Sequence, residues 1–177
     1  QFSSLRMGHY RLIYADPAWL FENYSAAGQE KNPLAHYACM SLEDMKALPV
    51  AALAAPDCAL VMWCIWSMVG EALELMRAWG FDLKTGGAWA KQSSTGSKWA
   101  FGTGYIYRAA SEFWLLGTRG APRLKSRSVR NLIVDEGGWP DAAGDDLALL
   151  SGGLTAPVRE HSRKPDCQYQ RIEALVE

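Results

Sequence analysis

Apolar positions along the chain fall into two kinds of pattern. Arg11–Ala15 (RLIYA), Cys58–Ile65 (CALVMWCI), Glu112–Thr118 (EFWLLGT) and Val129–Val134 (VRNLIV) are short, nearly continuous runs, as in strands covered on both faces. Phe81–Lys91 reads as a further strand. The second pattern is helical. Ser41-Leu42-Glu43-Asp44 resembles a capping box and predicts a helix ending near Leu48, because Pro49 cannot continue it. Ser67 can cap another, in which Val69, Leu73 and Met76 recur at helical spacing before Gly80 stops it. Asp166–Glu177 reads as a last helix, with Ile172 and Leu175 or Val176 on its apolar side. Residues 20–40 and 92–104 read as loops, and Asp135–Ala156 has no strong period. Strands alternate with helices and then cluster, which predicts an α/β domain of three layers with a mostly parallel sheet. A length of 177 residues suits one such domain over residues 1–177.

Composition narrows the class. Hydrophobic residues at 49% and charged residues at 21% match a soluble globular protein. No apolar run reaches the roughly 18 residues a membrane span needs. The start, Gln1-Phe2-Ser3-Ser4, lacks the basic-then-apolar order of a leader, and its lack of Met is consistent with a trimmed upstream piece. None of Cys39, Cys58, Cys64 and Cys167 forms a C-x-x-C pair, so no zinc site is expected. Cys58 and Cys64 read as small buried hydrophobes, in a reduced, cytoplasmic setting. The net charge is −1, yet Arg119, Arg123, Lys125, Arg127 and Arg130 crowd into twelve residues. That crowd reads either as a solvated loop or as an edge that contacts phosphates. No G-x-G-x-x-G follows a predicted strand, which weighs against a nicotinamide-dependent oxidoreductase.

Ligands of α/β sheets bind beyond the carboxyl ends of the strands. Asp16-Pro17-Ala18-Trp19 stands at such an end, directly after the first strand. Asp and Pro also suit a plain turn. Trp is a poor residue for an exposed turn, and it tilts the reading toward a site.

Several motifs in order resemble the N6-adenine methyltransferases, the family that includes the catalytic subunit of the messenger-RNA adenosine methyltransferase and phage and bacterial DNA adenine methyltransferases. The family's Asp-Pro-Pro-Trp appears as Asp16-Pro17-Ala18-Trp19, and its aromatic-x-x-Met-Ser as Tyr37 to Ser41. Its strand–helix–strand appears as Leu60 to Lys91, with Trp63, Trp79, Gly80, Phe81, Trp89 and Lys91 in place. Glu112–Gly120 (EFWLLGTRG) and Arg159–Asp166 (REHSRKPD) match two further segments. The resemblance runs from about Tyr10 onward.

It implies a Rossmann-like methyltransferase sheet in permuted motif order, S-adenosyl-L-methionine as cofactor, and adenine N6 in nucleic acid as the methyl acceptor. Asp16 and the Pro17 carbonyl would hold the target amine, and Trp19 would stack on the base. Taking an N–H hydrogen bond moves that nitrogen toward sp³ and frees its lone pair. Tyr37 would line the target-base pocket. Lys164 would lie beside Asp16 and the methyl donor, and Arg108 and Glu112 near the substrate groove. Each has a plainer reading: Tyr37 as a packing aromatic, Lys164 as the start of the last helix, His161 as a structural hydrogen bonder. Trp63, Trp79 and Trp89 read as core.

The chain departs from the family in three places. Ala18 replaces the second Pro, Asp135–Thr155 looks like an insertion, and the family continues past Glu177 into a strand and turn that hold the donor's adenosine. The domain is therefore expected to lack its C-terminal strand and to bind the donor weakly alone. DNA is the expected substrate in preference to RNA, since the compact chain carries no RNA-binding module. The family also holds catalytically silent partners, so a nucleic-acid-binding subunit is the alternative, and a homo- or heterodimer fits either reading.

Overall fold

The computed structural model describes residues 4–20, 39–93, 98–102, 104, 106–134, 164, 168, 172 and 173. Strand β1 is Tyr10–Ala15. Helices α1 (Leu42–Lys46) and α2 (Val50–Leu53) lead into β2, Ala54–Cys64. A 3-10 turn over Trp66–Met68 opens α3, Val69–Ala78. Strands β3 (Asp82–Ala90), β4 (Ser111–Arg119) and β5 (Leu132–Val134) follow. The hydrogen-bonded order is β1-β2-β4-β3-β5, and the fold is α/β.

Local chemistry explains these bounds. Ser41 caps α1: its hydroxyl accepts the Asp44 N–H at 3.1 Å and donates to the Asp44 carboxylate at 2.6 Å. Pro49 ends that helix but starts α2, since its fixed φ suits a first turn; the sequence reading missed this second helix. β2 begins four residues before the predicted start, because Ala54 and Ala55 are already buried. Ser67 lies inside the 3-10 turn rather than capping α3. The buried face of α3 is Ala72, Leu75 and Met76, continued by Trp79; of the expected Val69, Leu73 and Met76, Met76 lies on it and the other two do not. Gly80, at φ +82°, ends the helix in the left-handed region that other residues avoid.

The expectation of a mostly parallel sheet needs amending. β1 runs parallel to β2, and β3 parallel to β5. The Lys91 N–H, just after β3, bonds the Ala110 carbonyl just before β4, so this neighbouring pair runs antiparallel and the sheet is mixed. Among the described residues between β3 and β4 there is no helix, and an antiparallel return is the short route.

The chain divides into two compact units, residues 1–86 with 114–123 and residues 87–113 with 124–177. In the first, Cys58–Cys64 of β2 is buried throughout, along with Met45, Leu75, Met76, Trp79 and Phe81. Burial pushes the Cys58 thiol up to about 11 and that of Cys64 up to about 12, so both remain neutral packing groups. In the second unit Trp89, Phe113, Ile133 and Ile172 are buried. Gln168, Ile172 and Glu173 are helical, in agreement with the predicted last helix. The predicted insertion, 135–155, lies outside the described residues. Among the described residues no helix is long and apolar enough to cross a membrane.

Candidate active site

The first unit carries the Asp16 segment. β1 and β2 step together through Ile13–Leu60, Tyr14–Val61 and Ala15–Met62, so the next step brings Asp16 level with Trp63. Asp16 is exposed there, at the carboxyl end of both strands. The Trp19 N–H bonds the Pro17 carbonyl at 2.9 Å and closes a tight turn. That carbonyl keeps a second lone pair with which to accept. The Ala18 carbonyl takes the Met40 N–H at 3.0 Å, and Trp19 bridges Met40. The departure from Pro to Ala at 18 therefore lies in backbone that is tied down by other bonds.

Trp63 brackets Asp16 on both sides. Its indole N–H donates to the Tyr14 hydroxyl at 2.6 Å, two residues before Asp16. Its carbonyl accepts the Trp19 indole N–H at 3.2 Å, three residues after. Its ring meets Trp114 edge-on, centroids 5.2 Å apart. The sequence reading has Trp63 as core, and it is core, but its bonding to Tyr14 was not anticipated. Trp19, expected to offer a face to a base, is only 5% exposed. Its anchored indole fixes the turn.

The second unit holds a cluster around Glu112 near the start of β4. Glu112 takes the Lys91 amine at 2.6 Å on one carboxylate oxygen and the Lys164 amine at 3.0 Å on the other. Burial acts to raise the Glu112 pKa, but the charges and hydrogen bonds of Lys164 and Lys91 outweigh it and hold the carboxyl below its usual range. Lys91 also lies over the Trp89 ring, 4.7 Å from its centroid. The sequence reading singled out Glu112 and Lys164 but gave Lys91 no role. Its place in the tryptophan-x-lysine pattern after Trp89 was the available signal. Arg108 is exposed, with its guanidinium 5.1 Å from the Phe101 centroid. Tyr37 lies outside the described residues, as do His161 and the rest of the 159–166 segment save Lys164.

Of the basic crowd, Arg123, Lys125, Arg127 and Arg130 are exposed. Arg119 is not: it donates to the Ala51 carbonyl at 2.6 Å. Gly120 beside it sits at φ +62°, where a Cβ would run into Asp57 and Pro56. This arginine–glycine pair is structural.

The sequence pattern of the MT-A70 family matches residues 10–177, nearly the whole chain and both clusters. The chain belongs to the MT-A70 family. It is 25% identical over 150 residues to a type II methyltransferase, M.MunI, of Mycoplasma sp, covering 75% of this chain and 61% of that protein. It is 26% identical over 174 residues to an MT-A70-like N(6)-adenosine-methyltransferase of Medicago truncatula, covering 96% of this chain and 22% of the other. The chain thus spans less than two thirds of the length of these relatives. The resemblance to N6-adenine methyltransferases is borne out by the MT-A70 match and by the name of the second relative.

Proposed function

We propose that this MT-A70 chain is an enzyme that transfers a methyl group from S-adenosyl-L-methionine to N6 of adenine in DNA, on a Rossmann-like sheet in permuted order. The carrying observation is Asp16: an exposed carboxylate at the carboxyl end of two parallel strands, on a backbone fixed from both sides by Trp63. Asp16 and the spare lone pair of the Pro17 carbonyl accept the two N–H bonds of the amine. That polarises the weak nitrogen nucleophile and orients its lone pair. Trp19, being buried, acts chiefly by holding this turn, and its rim is what a base would touch.

By charge alone, Asp16 suits the donor's cationic sulfonium and ammonium, and Lys164 suits its carboxylate. When bound, S-adenosyl-L-methionine supplies an electrophilic methyl group. Glu112 and Arg108 face the substrate in this reading, with Tyr37 lining the base pocket. Glu112 holds the Lys91 and Lys164 amines in place through its two carboxylate oxygens. Exposed Arg123, Lys125, Arg127 and Arg130 contact backbone phosphates.

The test is transfer of a labelled methyl group into matched single-stranded DNA and RNA at one salt concentration. Faster transfer to DNA is expected. Faster transfer to RNA would overturn the choice of substrate, and no transfer to either would overturn the enzyme.

A further inference from the structure

The segment between β3 and β4 displays apolar side chains that the fold does not bury. Phe101, Ile106 and Tyr107 are 78%, 77% and 89% exposed. Single exposed apolar residues are ordinary, but here three large ones fall within seven positions. Arg108 lies over the Phe101 ring, 5.1 Å from its centroid.

The backbone beneath is paired. Gly102 donates to the Ala109 carbonyl at 2.8 Å, Lys91 to Ala110 at 2.8 Å, and Ala100 to Lys91 at 2.9 Å. A Cβ on Gly102 would come within 2.8 Å of the Ala109 oxygen, so the close approach requires glycine. The aromatics thus flank a hydrogen-bonded stem, Tyr107 standing five residues along the chain from Glu112.

Charge selects the occupant. Residues 91–112 carry Lys91, Lys98 and Arg108 against Glu112 alone. A second copy of the chain, docked by a two-fold, would set these cations against their own kind. A nucleic-acid strand offers phosphates to the cations and flat π faces to the rings.

We infer that Phe101, Tyr107 and Arg108 form a stacking platform for unpaired bases of a nucleic-acid strand, with Ile106 beside it in sequence. The inference rests on the reading that the chain works on nucleic acid. Stacking tolerates any base, so the platform grips the strand without reading its sequence.

The test uses a single-stranded DNA in which 2-aminopurine flanks one adenine, titrated with the wild-type chain, Phe101→Ala, Tyr107→Ala and Tyr107→Phe over a salt series. Each alanine variant should bind on the order of tenfold more weakly and lose the quenching that stacking imposes on 2-aminopurine. The salt slope should be unchanged, because no phosphate contact is removed. Tyr107→Phe should bind and quench like the wild type, since the ring does the stacking. Melting temperatures of all variants should match the wild type at these exposed positions. Wild-type affinity and quenching in both alanine variants would overturn the platform while leaving the nucleic-acid reading intact. So would an unchanged affinity in Tyr107→Ala together with conversion of a dimer to a monomer in sedimentation, which would make these side chains a protein interface. A wild-type chain that binds no oligonucleotide would overturn both readings.

Discussion

At the scale of single residues, two carboxylates with opposite surroundings divide the work. Asp16 is exposed, whereas Glu112 is part-buried between Lys91 and Lys164. Asp16→Ala should lower kcat by about 10²–10³, the scale of losing one preorganised polar group, with the melting temperature held. Steady-state rates beside a thermal melt check this, and a rate near wild type would remove Asp16 from the mechanism. Glu112 makes a different prediction. Its pKa is lowered in the folded state, so its contribution to stability is present above the ordinary value of 4.5 and is lost as pH falls through the folded value. Melting temperature should therefore drop in acid for the wild type. In Glu112→Gln it should start lower and drop less steeply, and parallel curves would contradict the two-lysine arrangement. Asp16, Glu112 and Lys164 were legible in the sequence because a motif order carried them. Lys91 and Tyr14 were not, because their partners lie 21 and 49 residues away and no local pattern encodes such pairs. The burial of Trp19 was equally hidden, since the carbonyl that takes its indole N–H belongs to Trp63, 44 residues away.

At the scale of elements, the carboxyl ends of β1 and β2 are joined by side chains as well as by their ladder. Trp63 is the joint. Trp63→Phe removes the indole donor, leaves the Tyr14 hydroxyl without that bond, and opens space in a packed core. A loss of about 1–3 kcal/mol follows from the donor alone, read by denaturant unfolding. The kcat should fall with it, since the Asp16 turn loses one of its two ties. Stability and rate unchanged in Trp63→Phe would show the bracket to be incidental. The strands themselves were read well from their apolar runs, to within a few residues. The misses were short-range: α2 and the 3-10 turn span four and three residues, too few for a periodic signal. The face of α3 was misassigned because Ala72 counts little in a hydrophobic pattern, although it is fully buried. The Arg119–Arg130 crowd was read as one feature, and Arg119 has left it to bond Ala51. Replacing Arg127 and Arg130 together by Ala should reduce the salt slope of DNA binding by about 2, close to one per phosphate contact. An unchanged slope would make both of them solvated bystanders.

At the scale of the whole molecule, the candidate groups fall in both compact units. Lys91, Lys164 and Arg108 belong to one unit, and the exposed Asp16 to the other. The α/β class was legible because continuous apolar strands alternate with amphipathic helices. The antiparallel return between β3 and β4 was not, because strand direction is set by the connection, and that connection holds glycines and exposed aromatics rather than a helical period. The central claim is that this MT-A70 chain methylates adenine at N6, and its most direct measurement is a nucleoside mass spectrum. DNA incubated with the chain and a methyl-deuterated S-adenosyl-L-methionine is digested to nucleosides and separated. The account predicts deuterated N6-methyl-2′-deoxyadenosine from the wild type and none above background from Asp16→Ala. Label on cytosine or on another adenine nitrogen, or equal label from both proteins, would contradict it.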